Sequence, residues 1–171
     1  MPFTQLRFHI VFGTYWRRPY LKPEFDDYLF PKIGGKTKEW GGIPMAINGW
    51  YDHMHIVCAL PPALSVSKYV RRIKSQTSGD LRRTFPEKLG NFRWAKGYGA
   101  FTVRPDDMND LIQYVRQQKQ RHAKDEIRPW WEKWEEDWMY PRPTGAPSAR
   151  RELGGVHLPA IRDRRRNRRS P

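Results

Sequence analysis

Residues 43–60, IPMAINGWYDHMHIVCAL, constrain the fold more than any other stretch. Ile43, Met45 and Ile47 alternate along one run. Residues 49–52 supply a tight turn, and a second run from His53 to Leu60 is stopped by Pro61-Pro62. Period-two patterning on both sides of a short turn predicts a β-hairpin, which is marginal alone and needs further strands or helices to cover it. Upstream, Leu6, Phe8, Ile10 and Phe12 alternate with Gln5, Arg7, His9 and Val11 and predict another strand.

The helices are marked by a different period. Residues 23–40 read as helical, with Pro31 and Gly34-Gly35 weakening the middle. Ser65 suits an N-cap, and Val66, Tyr69, Val70, Ile73 and Thr77 form a stripe at helical spacing. Residues 92–103 read as extended, with Gly97 and Gly99 permitting a bend or close backbone approach. Pro105 opens a last helix running to about Lys124, with Asp106 and Asp107 suited to its first turn. The order β-α-β-β-α-β-α predicts an α+β fold, an antiparallel sheet with packed helices.

Charge narrows the partners. Lys and Arg number 32 against 18 Asp and Glu, a net charge of +14, which favours polyanions and nucleic acid first among them. Residues 141–171 hold nine arginines and two acids, Glu152 and Asp163. This Arg-rich tail reads as mostly disordered, either a phosphate-binding arm or a solvated extension. Residues 124–139, KDEIRPWWEKWEEDWM, place Trp130, Trp134 and Trp138 on one face of an expected helix. Its net acidity repels phosphates, so packing on the body or on a partner subunit is the better reading. Cys58 is the only cysteine, which excludes a disulfide scaffold. No apolar run approaches the ~18 residues of a membrane span. The first residues lack the layout of a signal peptide, and a cytoplasmic protein is expected.

Two short motifs carry chemistry. His53 and His55 are two apart on a predicted strand, so both imidazoles leave one face, while Met54, Ile56, Cys58 and Leu60 take the other. Two imidazoles side by side suit a divalent metal, and Asp52 is placed to orient one of them. Taken alone, such a pair is more often two strand histidines without a ligand. On the last helix Tyr114 and Gln118 are i, i+4 and share a face, with Gln117, Arg121 and His122 nearby. A tyrosine there is more often a core residue than a nucleophile. Lys68, Arg71, Arg72 and Lys74 lie mostly away from the apolar stripe of the middle helix. With Arg82 and Arg83 they form either a DNA-binding face or a solvated one.

Together these motifs carry a resemblance. The chain is similar to the single-tyrosine HUH transposases of the insertion-sequence 200 type, including their REP-associated relatives. The family's His-hydrophobic-His motif stands here as His53-Met54-His55 and its Tyr-x-x-x-Gln helix as Tyr114 to Gln118. FHIVFGTYWRRPYL, IKSQTSGDLRRTFP and FRWAKGYGAFTV resemble family segments in the same order, covering roughly residues 3–124. The first segment reads TYWRRP where many relatives have a lysine before the arginine.

The resemblance implies an HUH endonuclease (ferredoxin-like) domain over residues 1–124, followed by the Trp-rich segment 125–140 and the tail 141–171. It implies that Tyr114 attacks single-stranded or hairpin DNA to give a 5′-phosphotyrosine and a 3′-OH. His53, His55 and Gln118 would hold Mg²⁺ or Mn²⁺. The protein is then expected to be a homodimer in which the tyrosine helix of one subunit can complete the metal site of the other, with a hinge near residues 97–104. A noncatalytic nucleic-acid-binding protein on the same fold is the alternative, as is a replication-initiator or relaxase-type nuclease.

Overall fold

A computed structural model describes residues 4–134. Four antiparallel strands, β1 (Arg7–Gly13), β2 (Ile43–Trp50), β3 (His53–Ala59) and β4 (Gly99–Thr102), form one sheet in the order β2-β3-β1-β4. The helices are α1 (Asp26–Glu39), α2 (Val66–Thr84), α3 (Pro86–Leu89), α4 (Met108–Arg116) and α5 (Gln118–Ala123). This is the expected α+β architecture, an antiparallel sheet with packed helices.

The β2–β3 hairpin turns where its sequence predicts, and β1 lies against the other edge of β3, pairing Gly13 with His53 and Val11 with His55. Being central, β1 and β3 are covered on both faces, so their alternation sorts side chains between two cores rather than between core and water. Ile10, Phe12, Met54, Ile56 and Cys58 face α1 and α2, where they meet Leu29, Ile33, Tyr69, Val70 and Ile73. Val57 and Ala46 face α4, where they meet Met108, Leu111, Tyr114 and Val115. Each large apolar side chain so buried contributes roughly 1.5–3 kcal/mol.

Helix α2 follows its predicted stripe. Tyr69, Val70, Ile73, Thr77 and Leu81 are buried, and the Ser65 side chain accepts a hydrogen bond from the Lys68 N–H as an N-cap. Helix α1 runs through Pro31 without interruption, because Leu29, Ile33 and Thr37 dock on the sheet side. There the Thr37 and Tyr69 hydroxyls lie 2.7 Å apart, in hydrogen-bond contact.

Three expectations are corrected. The extended segment 92–103 pairs as a strand only over β4. Before it, Trp94 makes an isolated bridge to Thr14 and donates its indole N–H to Thr77 Oγ1 at 2.9 Å. The last helix is broken at Gln117 (φ −96°, ψ 13°), which separates α4 from α5. The Trp-rich segment is not helical over its described part: it makes a single 3-10 turn, Pro129–Trp131, and then runs irregularly to Trp134. Side-chain docking sets its path instead: Trp134 is buried and Glu132 reaches Tyr114 and the histidines. Trp138, like the tail 141–171, lies outside the described residues. No helix among the described residues is long and apolar enough to cross a membrane.

Candidate active site

The α4 face of the sheet carries the site. His53 and His55 leave β3 on this side, and both are buried. A second group orients each imidazole. His53 donates from Nδ1 to Asp52 Oδ1 at 2.7 Å, and Asp52 Oδ2 accepts from Arg17 Nε at 2.8 Å. His55 Nδ1 lies 2.9 Å from Nε2 of His9, two residues along β1 from its register partner. With Nδ1 occupied in both rings, both Nε2 atoms are presented to the same space.

Arg17 reaches Asp52 from a left-handed pair, Trp16 (φ 55°) and Arg17 (φ 53°), a conformation costly for side chains other than glycine. The pair caps the end of β1, where Thr14 N–H donates to the Asp52 carbonyl at 2.8 Å.

Tyr114 and Gln118 flank the α4–α5 break, one on each helix. Both are buried, and the Asn48 amide fixes the break by donating to the Arg116 carbonyl at 2.9 Å. The residue that joins the two halves is Glu132, from the Trp-rich segment. Its Oε1 accepts hydrogen bonds from the Tyr114 hydroxyl and from Gln118 Nε2. Its Oε2 lies 3.1 Å from Nε2 of His53, 3.1 Å from Nε2 of His55 and 3.7 Å from Nε2 of His122. His122 comes from α5 and stacks on Trp50 with ring centroids 5.1 Å apart.

The electrostatics follow from burial and this one carboxylate. Burial opposes the charged form of His53, but Glu132 and Asp52 outweigh it and hold the imidazolium up to about 9. His55 and His122 are lowered, chiefly by burial. Burial and the adjoining His55 bring His9 down to about 3, so it is a neutral hydrogen-bonding partner. Burial and then Glu132 raise the Tyr114 phenol, so it is protonated at neutral pH. Glu132 resists the desolvation of burial and stays ionised because His55 and His53 surround it.

The residues fit a divalent metal. His53 Nε2 and Gln118 Oε1 are buried without hydrogen-bond partners, as are both ring nitrogens of His122. Among the described residues, His53, His122 and Glu132 offer ligand atoms within 4.8 Å of one another. The His-x-His pair, Tyr114 and Gln118 are thus brought together within a single chain. His9, Arg17 and Glu132 carried no signal in their own segments. Glu132 is one acid among six in residues 124–139, and nothing local distinguishes it from its neighbours.

The cations expected to face DNA lie on the opposite, α2 side. Lys68, Arg71, Arg82 and Arg83 are exposed. Arg82 also donates to the Phe92 carbonyl at 2.9 Å, and Arg83 pairs with Asp80. Arg72 lies over the Trp40 ring. Lys74 donates to the Ala95 and Gly97 carbonyls at 2.9 and 2.5 Å, clamping the segment before β4. Arg71, Lys74 and Arg82, with Arg93, Trp94 and Tyr98, line an open groove of about 520 Å³ between α2 and that segment.

A strand His-x-His pair, a tyrosine and glutamine one helical turn apart, and this sheet order invite comparison with known proteins. The family model described as "Transposase IS200 like" matches residues 2–118. The chain belongs to that family. Two relatives, the insertion-sequence IS200 transposases of Salmonella typhimurium (strain LT2) and Salmonella typhi, are each 28% identical to it over 102 residues. The match covers 57% of this IS200-like chain and 66% of each relative, just under two thirds of their length.

Solved structures share the fold. A proposed transposase from Deinococcus radiodurans R1 superposes with a TM-score of 0.56 at 21% identity, covering 68% of this chain and 93% of that one. A REP-associated tyrosine transposase bound to a REP hairpin gives a TM-score of 0.52 at 16% identity, covering 72% of each chain.

Proposed function

We propose that this IS200-like chain is a transposase that cleaves and rejoins single-stranded or hairpin DNA, with Tyr114 as nucleophile. The observation that carries the reading is that the Tyr114 hydroxyl and the Nε2 atoms of His53 and His55 converge on one point, marked by the Glu132 carboxylate. The phenolic oxygen attacks phosphorus, the bond to the 3′ oxygen breaks, and a 5′-phosphotyrosine and a 3′-OH result. The phenolic proton leaves along its hydrogen bond to Glu132, and the departing 3′ oxygen takes a proton from water. The phosphodiester energy is kept in the phosphotyrosine, so attack by another 3′-OH rejoins strands without ATP.

His53, His55 and Gln118 hold a divalent cation, Mg²⁺ or Mn²⁺, in this reading. When bound it supplies Lewis-acid polarisation of a phosphate oxygen and charge to offset the leaving group. Asp52 and His9 engage the Nδ1 atoms and so turn both rings with Nε2 toward the cation site. Trp131, packed at 4.7 Å against Tyr114, and Trp134, at 5.3 Å from His53, limit water around the hydroxyl.

Residues 1–124 are the catalytic domain here, 125–134 a segment packed against it, and 141–171 a phosphate-binding arm. The α2 groove, with Arg71, Lys74 and Arg82 on its walls, takes DNA backbone, and Lys68, Arg72 and Arg83 extend its field. The protein acts as a homodimer that holds two DNA ends in this reading. A cytoplasmic location accords with such a substrate in this reading.

The test is incubation with labelled single-stranded DNA from the gene's own flanks and Mg²⁺ or Mn²⁺. Wild type should form a covalent protein–DNA adduct, and Tyr114→Phe should form none while still binding the DNA. An adduct that persists in the variant, or maps to Tyr98, would overturn the assignment.

A further inference from the structure

The oxygen of Glu132 that faces the imidazoles is separate from the one that holds Tyr114. Oε2 is within 3.1 Å of two Nε2 atoms and 3.7 Å of a third. Ligands at about 2.1 Å from one ion stand roughly 3.0 Å apart at octahedral angles and roughly 3.4 Å apart at tetrahedral ones. Two of the separations fall within that range, and the third exceeds it by about 0.3 Å. His53 Nε2 lies at 3.1 Å from the carboxylate without hydrogen-bond geometry, and His122 has no hydrogen-bond partner at either ring nitrogen although it is buried. Only His55 Nε2 hydrogen-bonds Oε2, and the His53 and His122 nitrogens beside it are left without such a bond.

The segment that delivers Glu132 is built into the body. A Cβ at Gly99 would collide with the Lys133 carbonyl, and one at Gly13 would stand 3.0 Å from the Trp134 ring. Trp134 is buried, with the Arg17 guanidinium over its ring at 4.6 Å. Arg128 donates its backbone N–H to the Tyr114 hydroxyl at 3.1 Å and pairs its guanidinium with Asp110. Glu132 is therefore held in place from both sides of its own sequence.

We propose that Glu132 and His122 are metal ligands, joining His53, His55 and Gln118 around one cation. Glu132 binds the ion through Oε2 and positions Tyr114 through Oε1, so one side chain sets the distance between nucleophile and cation. Three imidazoles favour a first-row transition ion over Mg²⁺, which prefers oxygen donors and retains its water. The inference rests on the metal-assisted reading above and extends the ligand set past residue 118.

The experiment is Mn²⁺ titration of the full chain near neutral pH, followed by the electron-paramagnetic signal of free Mn²⁺, with no DNA and no turnover. Wild type should bind one Mn²⁺ and bind it more tightly than Mg²⁺ in competition. Glu132→Gln should weaken Mn²⁺ binding at least tenfold, and Glu132→Asp should fall between. Trp130→Ala, an exposed change in the same segment, should leave binding as it is. If Glu132→Gln does not fold by circular dichroism, His122→Gln reads the same ligand set and should weaken binding severalfold.

Unchanged or tighter Mn²⁺ binding in a folded Glu132→Gln protein would overturn the proposal and make the carboxylate a plug that competes with the ion. Absence of any Mn²⁺ binding by wild type would overturn both this inference and the metal-assisted reading. A Tyr114-dependent adduct formed equally well by Glu132→Gln with normal Mn²⁺ affinity would overturn this inference alone.

Discussion

Replacing Asp52 by Asn tests the electrostatic frame behind the site. The Asp52 carboxylate is buried between Arg17 Nε at 2.8 Å and His53 Nδ1 at 2.7 Å. Asn keeps the shape but loses the charge, and its amide can accept from only one of the two donors. In the fold His53 is held up to about 9, against 6.5 for the ordinary imidazole. At ~1.4 kcal/mol per pH unit, the imidazolium is stabilised by a net of about 3 kcal/mol, after the burial that opposes it. Glu132 shares that effect, so the part due to Asp52 is on the order of 1–2 kcal/mol. The partly buried Arg17 loses its partner as well, adding about 1–2 kcal/mol.

The folded value lies above the unfolded one, so the histidine part is complete below about pH 6.5 and is lost as the pH rises through about 9. Urea unfolding of metal-free protein should therefore show a loss of about 3 kcal/mol near pH 6 and about 1–2 kcal/mol near pH 9.5. Equal losses at the two pH values would refute the coupling to His53. A loss under about 0.5 kcal/mol at both would refute the buried network as a whole.

Thr77→Val should cost about 1–3 kcal/mol in urea unfolding, because it leaves the Trp94 indole N–H buried without its acceptor. Deleting residues 141–171 removes nine arginines and two acids. DNA affinity should then fall and the log–log salt slope should drop by roughly 0.7 per lost phosphate contact, while adduct formation at saturating DNA survives. An unchanged slope in filter binding would make the tail a passive extension.

The elements legible in the chain were those set by local period. Alternation in residues 43–60 specified the hairpin and put His53 and His55 on one face, because successive strand side chains must point oppositely. Helical spacing placed Tyr69, Val70, Ile73 and Thr77 in the core and Tyr114 and Gln118 on a common side. Other features depended on partners distant in the chain. The break at Gln117 is held by Asn48, and the Trp-rich segment docks through Trp134 and Glu132 where helical spacing suggested a helix.

The same division runs through the site. Residue types at fixed spacing announced two imidazoles, a phenol and an amide. Their meeting point needed β1, β3, α5 and the segment after it to pack together, since His9, Arg17, His122 and Glu132 are up to 123 positions apart. Sequence pattern reports what a residue's neighbours a few positions away compel it to do. Which buried charges face one another is decided only by the fold, where burying an acid without its counter-charges would cost more than the packing around it returns.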